Sequence, residues 1–296
     1  MTNIIIPRIF GGIGNQLFIY AAARRLAIVN KAELVLDDVS GFVWDHAYQR
    51  NYQLDHFNIP CRKASATERL EPFSRIRRYL KRHINQYRRF EHRHYIQQVG
   101  RDFDPRLLLI KPRGKLYIQG YWQSENYFKD VEPIIRLDLK ICPPTDEINR
   151  CMADQLCKQT AVAVHVRFFD ESLAHSMNNV PADYYTRAIS KMEAQVPQAH
   201  YYIFSDQPEL AKKLVSLPNE RITLVFHNQG DENAFADLWL MSQCQHFVIA
   251  NSTFSWWGAW LSDYPEKVII APNLRLENGY MTWGFKGLIP EDWHLV

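Results

Sequence analysis

The sequence predicts an α/β protein with two Rossmann-like lobes, and three observations support this prediction. Short apolar runs alternate four times with helical patterns in the C-terminal half, which is typical of βαβ units and a parallel sheet. The N-terminal half begins in the same way, with an apolar run, a glycine turn and a helical pattern. The segment KICPPTDE at 140–147 interrupts these patterns with two prolines. We therefore predict one lobe at 1–145 and a second at 146–296.

In the N-terminal lobe the pattern is clear only near the two ends. The predicted elements are a strand at 3–10, a helix at about 15–30, strands at 33–37 and 115–122, and a basic helical stretch at 64–95. The helical pattern NYFKDVEPIIR is predicted to end at Pro133, because proline has no backbone N–H to donate within a helix.

The C-terminal lobe has a regular alternation of strands and helices. The predicted strands are 161–166, 201–204, 222–226, 247–250 and 267–271, and the predicted helices are 181–195, 208–217, 232–244 and 255–263. Pro181 suits the start of its helix, since its fixed φ angle matches the first helical turn.

The composition is that of a globular protein. Hydrophobic residues make up 47% of the 296 residues, and no apolar run reaches the ~18 residues of a transmembrane helix. The first apolar run, at 4–6, is followed at once by Pro7 and Arg8, unlike a signal peptide. The five cysteines are dispersed and form neither a CxxC pair nor a zinc pattern, which is typical of reduced thiols. We therefore expect a cytoplasmic protein.

Positive charge is concentrated in one segment, 75–94. This segment holds eight Lys/Arg and one Glu, whereas the whole chain has a net charge of only +3. Such a patch predicts a local anionic partner, for which we expect peripheral contact with the inner face of a membrane. A solvated basic face is the alternative, and the sequence leaves both open. Nucleic acid is not expected, because the pI is only about 8.5 and no RNA-binding motif is present.

The glycine turn Gly11–Gln16 follows the first predicted strand and opens a helix. Glycines allow a ligand to approach the backbone, and the helix N-terminus offers unpaired N–H groups to a phosphate or a sugar hydroxyl. Gly12, Gly14, Asn15 and Gln16 are therefore predicted to bind a ligand. A tight turn without a ligand explains the glycines equally well.

The second candidate segment, His165-Val166-Arg167-Phe168-Phe169-Asp170, ends a buried strand. His165 and Arg167 share one face because residues two apart in a strand point the same way. Ligands of parallel sheets bind beyond the carboxyl ends of the strands, and the planar fork of an arginine suits a pyrophosphate. Three polar groups at one strand end favour a functional site over a buried His–Asp hydrogen bond beside a solvent-exposed arginine.

The third candidate segment follows the strand at 247–250 and reads NSTFSWWGAW. Its polar residues all suit a helix N-cap, and several of them before a helix N-terminus also form an anion site. The predicted ligand residues are Asn251, Ser252, Thr253 and Ser255. Trp256, Trp257 and Trp260 have near-helical spacing, which is more typical of a core.

A metal site is not expected. Asp102 and Asp104 have the DxD spacing that holds a metal ion in some enzymes, but they precede Pro105 in the N-terminal half, away from the other motifs. A solvated Asp-Pro turn explains this pair better, and we predict no metal and no cofactor.

These motifs resemble those of the bacterial α-1,2-fucosyltransferase family. GGIGNQLF, HVRFFD and NSTFSWWGAWL are similar in order and spacing to that family's GGxGNQ, HxRRxD and NSxFSWWxAW blocks, and GYWQSENYF at 120–128 resembles a further family segment. The resemblance implies a GT-B-like fold, in which two Rossmann-like lobes face each other across a cleft. It also implies that L-fucose is transferred from GDP-β-L-fucose without a metal, with inversion, to the 2-hydroxyl of a terminal β-galactoside.

The resemblance gives roles to individual residues of the second lobe. His165, Arg167 and Asp170 occupy the HxRRxD positions, with Arg167 expected on the β-phosphate. For the reaction itself, our first candidate for the base or orienter is Asp170, with Glu171 second. Phe168 departs from the family, which has a second arginine there, and His175, Arg187 or Lys191 are candidate replacements. Asp206, after the strand at 201–204, is expected at the ribose or guanine unless it only caps the next helix.

Two functions other than α-1,2-fucosyl transfer stay open at this point. One is a GDP-fucose-dependent fucosyltransferase of another linkage, since HxR-type motifs are shared more widely among such enzymes. The other is an inactive nucleotide-sugar-binding protein, which the missing arginine at Phe168 allows. Within the enzyme interpretation, we expect surface polysaccharide or O-antigen synthesis on an acceptor that is carried on a lipid.

Overall fold

The computed structural model describes residues 2–46, 48–169, 179–274 and 283–296. The chain divides into two compact units. The first consists of Met1–Lys140 with Lys286–Leu288, and the second of Ile141–Phe285 with Ile289–Val296. The boundary between the units thus lies just after Lys140, slightly before the predicted boundary at 145. The short C-terminal segment Lys286–Leu288 belongs to the first unit. That segment is held by backbone N–H of Lys286, which donates to Asp102 Oδ1 over 2.9 Å.

The first unit contains a five-stranded parallel sheet. Its strands are β1 (Ile4–Pro7), β2 (Glu33–Leu36), β3 (Arg62–Lys63), β4 (Tyr95–Gln97) and β5 (Lys115–Gln119), and its helices are α1 (Ile13–Val29), α2 (Ser74–Gln86) and α3 (Glu132–Asp138). The strand order is β3-β2-β1-β5-β4. Helix α1 is apolar on most of its circumference and is almost completely buried, as expected for a helix packed against a sheet.

Three predictions for this unit were wrong in detail. The stretch 64–95 is not one helix, because only Ser74–Gln86 is α-helical and Tyr95–Gln97 is a strand. Pro133 does not end a helix but lies in the first turn of α3, where its missing N–H costs nothing. The predicted strand at 115–122 stops at Gln119.

The second unit contains a six-stranded parallel sheet. Its strands are β6 (Ala161–Val166), β7 (His200–Ser205), β8 (Ile222–Val225), β9 (His246–Val248), β10 (Ile269–Ala271) and β11 (His294–Leu295), and its helices are α4 (Glu147–Cys157), α5 (Ala182–Gln195), α6 (Pro208–Lys212), α7 (Ala234–Ser242) and α8 (Thr253–Leu261). The strand order is β11-β10-β9-β6-β7-β8. The predicted α/β class with parallel sheets is therefore confirmed in both units.

The strand orders fix where a ligand site is expected in each sheet. Chain order reverses between β1 and β5 in the first sheet and between β6 and β9 in the second. In open parallel sheets, ligands bind outside the carboxyl ends of the strands at such a switch point. No helix among the described residues is long and apolar enough to cross a membrane.

Candidate functional site

The switch point of the second sheet lies beside the two motifs that the sequence singled out. Strand β6 is buried along its whole length and leads to Arg167, while β9 leads to Asn251 and the first turn of α8. The two motifs are in contact, since the rings of His165 and Phe254 have centroids 5.4 Å apart. The structure therefore brings His165, Arg167 and the N-terminus of α8 to one edge of the sheet.

Arg167 is held by Asp206 from the neighbouring strand end. Its Nη1 lies 3.1 Å from Asp206 Oδ2, and no more than about a third of either side chain is exposed. Asp206 also accepts a 3.1 Å hydrogen bond from the backbone N–H of Phe168 through Oδ1. Asp206 therefore fixes the strand end and orients the arginine, instead of only capping the next helix.

His165 is a neutral imidazole at physiological pH. Its side chain is buried, and burial, aided by the nearby Arg167 charge, lowers the pKa of His165 to about 3. Its Nδ1 has no hydrogen-bond partner among the described residues. A buried ring nitrogen without a protein partner is a group that a ligand can satisfy.

Phe168 stands where the related family has its second arginine, and its side chain has a packing role. Phe168 is partly buried and packs against the apolar core of the second unit. Of its candidate replacements, Arg187 ion-pairs with Asp183, and both side chains are more than half exposed. Asp170, Glu171 and His175 lie outside the described residues, so the expected base is not part of the site described here.

The first turn of α8 has the cap that the sequence predicted. The Ser252 hydroxyl accepts a 3.3 Å hydrogen bond from the N–H of Phe254, and the helix starts at Thr253. Ser255 is a correction, because it is fully buried and its hydroxyl donates to Ser252 O over 3.2 Å. It stabilises the turn and does not face a ligand. Trp256, Trp257 and Trp260 are core residues, as predicted.

The predicted ligand residues of the glycine turn belong to the first unit. Gly11 has φ +78°, which favours glycine, whereas a Cβ on Gly12 would meet nothing closer than the Arg50 guanidinium at 3.9 Å. Neither backbone conformation nor packing requires glycine at Gly12, and its role as a ligand residue stays a prediction. Gly14 is buried in the first turn of α1.

Gln16 is a second correction. It is fully buried, its Nε2 donates to Gly11 O and Asn51 O, each over 2.8 Å, and its Oε1 accepts from the Gln53 N–H. All its hydrogen-bonding groups therefore tie the glycine turn to the loop at 51–53. Asn15 is partly exposed and accepts a 2.7 Å hydrogen bond from Gln123 Nε2.

The structure shows a second candidate region that the sequence did not reveal. A cavity of about 240 Å³ lies at the switch point of the first sheet, where β5 ends. We call it the amide–aromatic cavity, and its lining includes Phe10, Gln97, Gln98, Gln119, Tyr121 and Gln123. Amides and aromatic faces are a combination that suits a sugar, since amides bond hydroxyls and rings cover C–H faces. The sequence signal was weak, because these residues come from three separate segments.

The DxD pair has a structural role in the first unit. Asp104 accepts the N–H of Arg106 and ion-pairs with its guanidinium, while Asp102 accepts the N–H of Lys286. The neighbouring Arg106 lowers the pKa of Asp104. Both carboxylates therefore have partners within the first unit, and Asp104 caps the short 3-10 helix that begins at Pro105.

Known proteins resemble this chain over most of its length. Residues 67–283 match the model of the family described as Glycosyl transferase family 11. An α-1,2-colitosyltransferase from Escherichia coli is 28% identical in an alignment of 289 positions that covers 91% of this chain and 91% of that protein. The O-antigen biosynthesis glycosyltransferase WbnK from Escherichia coli is 28% identical in an alignment of 284 positions that covers 88% of this chain and 91% of that protein.

A solved structure with the same architecture is the α-1,6-fucosyltransferase NodZ, in a crystal soaked with GDP-fucose. It has a TM-score of 0.52 and 17% identity, and it covers 88% of this chain and 93% of NodZ. The fucosyltransferase NodZ from Bradyrhizobium, in another crystal structure, has a TM-score of 0.51, 16% identity, and the same coverage of 88% and 93%. The predicted GT-B-like fold is thereby confirmed.

Proposed function

The chain belongs to glycosyl transferase family 11, and from this premise we propose that it transfers L-fucose from GDP-β-L-fucose to the 2-hydroxyl of a β-galactoside. The observation that supports the donor best is Arg167, which Asp206 orients beside the N-terminus of α8 at a sheet switch point. A cation and a helix N-terminus stabilise the negative charge that develops on a departing diphosphate. The names of the relatives support fucose-like sugars and O-antigen synthesis as the setting.

In the proposed reaction, the acceptor hydroxyl attacks the anomeric carbon of fucose from the side opposite GDP. The C–O bond to the β-phosphate breaks, GDP leaves with the electron pair, and the β-linkage becomes an α-linkage. Arg167 and the backbone N–H groups of α8 bind the β-phosphate as its charge grows. His165 acts as a neutral hydrogen-bonding group, because its pKa is far below 7. Asp170 stays the proposed base, with no metal or cofactor required.

The decisive test is product analysis. The purified protein is incubated with GDP-fucose, EDTA and a panel of β-galactosides, GDP release is measured, and the linkage is determined by NMR. We expect an α-1,2-fucoside that forms equally well with EDTA. A product of another linkage would overturn the regiochemistry, and the absence of both GDP binding and turnover would overturn the donor assignment.

A second donor is favoured by one specific observation, the similarity to an α-1,2-colitosyltransferase. Colitose is fucose without its 3-hydroxyl group, so both sugars present the same diphosphate to Arg167. Parallel assays with GDP-fucose and GDP-colitose decide between them. We expect a higher kcat/KM for GDP-fucose, and a higher value for GDP-colitose would reassign the donor.

We also propose that α2 holds the protein at an anionic membrane surface on the cytoplasmic side. Ile76, Leu80 and Ile84 are spaced by four residues, so they form one stripe along the helix, and each is more than half exposed. Basic side chains of 75–94 flank this stripe. An exposed apolar stripe with flanking arginines is the pattern of a helix that lies in a membrane interface.

Vesicle binding tests the membrane contact. Binding to vesicles with anionic lipid should exceed binding to neutral vesicles and weaken steeply with salt. Leu80→Ser should reduce it several-fold, whereas Leu137→Ser, a matched change of an exposed leucine on α3, should not. Equal effects of the two changes, or no vesicle binding by the unchanged protein, would contradict the proposal.

A further inference from the structure

The first unit contains a second cavity, larger than the amide–aromatic cavity and of opposite character. It measures about 490 Å³, and four arginines line it, namely Arg8, Arg75, Arg78 and Arg82. We call it the arginine cavity. Gln119 lines both cavities, and Gln97 of the amide–aromatic cavity accepts a 3.2 Å hydrogen bond from Arg82. The two cavities are therefore neighbours along the carboxyl edge of the same sheet.

Two of the arginines are fixed within the fold. The Arg78 side chain is one-tenth exposed, and its guanidinium donates to the carboxylate of Asp37 and, over 3.0 Å, to Arg69 O. Asp37 is fully buried and also accepts from the N–H and the hydroxyl of Ser40. Arg8 donates to Ser40 O over 2.7 Å. These hydrogen bonds hold Arg8 and Arg78 in fixed positions within the fold.

The positive charge of this cavity is mostly uncompensated. Within the part of the chain that the structure describes, no carboxylate lies in ion-pair distance of Arg8, Arg75 or Arg82. Asp37 forms an ion pair with Arg78. Burial and the charge of Arg78 lower the pKa of Arg8, which shows how poorly its charge is balanced. The Nε atoms of Arg8 and Arg78 are buried without a hydrogen-bond partner. Arg8 is thus a partly buried cation without a carboxylate partner among the described residues, and charge that is removed from solvent normally has a counter-ion.

We propose that the arginine cavity binds a phosphate or diphosphate group of the acceptor, while the acceptor sugar occupies the amide–aromatic cavity beside it. The inference rests on the proposed glycosyl transfer, because it places the acceptor in the first unit. Arginines bind phosphate oxygens in pairs through two parallel N–H donors. A sugar carboxylate carries one negative charge and would leave most of the cavity unneutralised, whereas a diphosphate carries at least two.

Acceptor chemistry gives the first test. One saccharide is presented as a neutral alkyl glycoside, as an alkyl diphosphate, and as a uronic-acid-containing analogue, and KM and kcat are measured for each. The variants are Arg75→Gln and Arg82→Gln, both at exposed cavity-lining positions, with Arg88→Gln as the matched control on the same basic segment.

We expect the alkyl diphosphate to have the lowest KM and each cavity variant to raise that KM about 10-fold or more. The KM of the neutral glycoside and the KM for GDP-fucose should stay unchanged. The inference is overturned when the cavity variants affect the neutral glycoside equally, or when Arg88→Gln has the same effect. If the cavity variants raise the KM of the uronic-acid analogue alone, the cavity binds a carboxylate and not a phosphate, and the inference is overturned as well.

Direct binding separates this inference from the proposed function. The protein is first titrated with GDP, and inorganic pyrophosphate is then titrated calorimetrically into the GDP-saturated protein. We expect pyrophosphate binding that weakens at least about 5-fold in Arg75→Gln and Arg82→Gln but not in Arg88→Gln. Absent GDP binding would overturn the donor assignment alone, and absent pyrophosphate binding would overturn the arginine cavity alone.

Discussion

The carboxyl edges of the two sheets carry charge in different ways. At the second sheet, one cation, Arg167, is paired with Asp206, and both side chains keep roughly a third of their surface or less in solvent. At the first sheet, four arginines line one cavity, and one of them, Arg78, pairs with the fully buried Asp37. Among the described residues, the second edge thus presents Arg167 as a cation oriented by its partner, whereas the first edge gathers several cations around one cavity.

This difference separates two kinds of anion recognition. A single cation beside a helix N-terminus suits charge that appears only as a bond breaks. A cluster of guanidinium groups, of which two are fixed within the fold, suits an anion that is present throughout binding, because the free energy of binding it is gained before the chemical step. The donor and the acceptor are therefore expected to depend differently on their arginines, the first in kcat and the second in KM.

The largest expected effect comes from removing the charge of the buried carboxylate, Asp37. Asp37→Asn leaves the nearly buried Arg78 without its carboxylate, so the free energy of unfolding should fall by about 3–5 kcal/mol. Asp206→Asn affects a pair that is about one-third exposed and should change the free energy of unfolding by less than about 1 kcal/mol. Urea denaturation followed by far-UV circular dichroism measures both. Similar losses of unfolding free energy in the two variants would contradict the difference between the two sheet edges.

The next effect concerns the cation of the second unit. Arg167→Ala should lower kcat with the proposed donor by about 100-fold or more, equivalent to about 3 kcal/mol of transition-state stabilisation. The KM for the acceptor should stay unchanged, since Arg167 belongs to the second unit. Lys213→Ala removes an exposed cation from the same unit and should have no effect. A change in KM alone would mean that Arg167 only contributes to ground-state binding.

The smallest effect contrasts the fully buried Asp37 with the partly buried Asp237. Asp37 binds an arginine, whereas Asp237 accepts a 2.8 Å hydrogen bond from the Asn228 amide, and burial raises the pKa of Asp237 to about 7. The folded protein therefore prefers protonated Asp237, and stability from this group is lost as pH rises from about 4 to about 7. Asp237→Asn should remove this loss and stabilise the protein by about 1–2 kcal/mol at pH 8 but not at pH 4. Thermal unfolding at both pH values measures it, and an equal shift at both would contradict the assignment.

The sequence predicted the second unit well because its signals are local. The run AVAVHV matches strand β6 in full, and the helix predicted at 181–195 differs from α5 by one residue. Continuous apolar runs mark strands that are buried on both faces, and the helical period marks the helices between them. The motif residues His165, Arg167 and Ser252 follow directly from these strand ends.

The first unit was harder to predict because its elements depend on distant contacts. Strand β3 has two residues and β4 has three, which is too short for any period to show. Just before strand β4, the backbone N–H of His94 donates to the side chain of Asn85 over 2.6 Å. The arginine cavity joins Arg8 and Arg78, which are far apart in the chain, so its existence follows only from the fold.

The tryptophans around α8 also make the protein an optical reporter of one unit. Trp256 lies 5.0 Å from Trp257 and 5.3 Å from Trp293 between ring centroids, and six of the eight tryptophans belong to the second unit. Coupled indole rings at these separations produce strong near-ultraviolet circular dichroism and share excitation energy. Most of the tryptophan emission therefore comes from the second unit, and a fluorescence change on adding a nucleotide sugar would report mainly on events there without any attached dye.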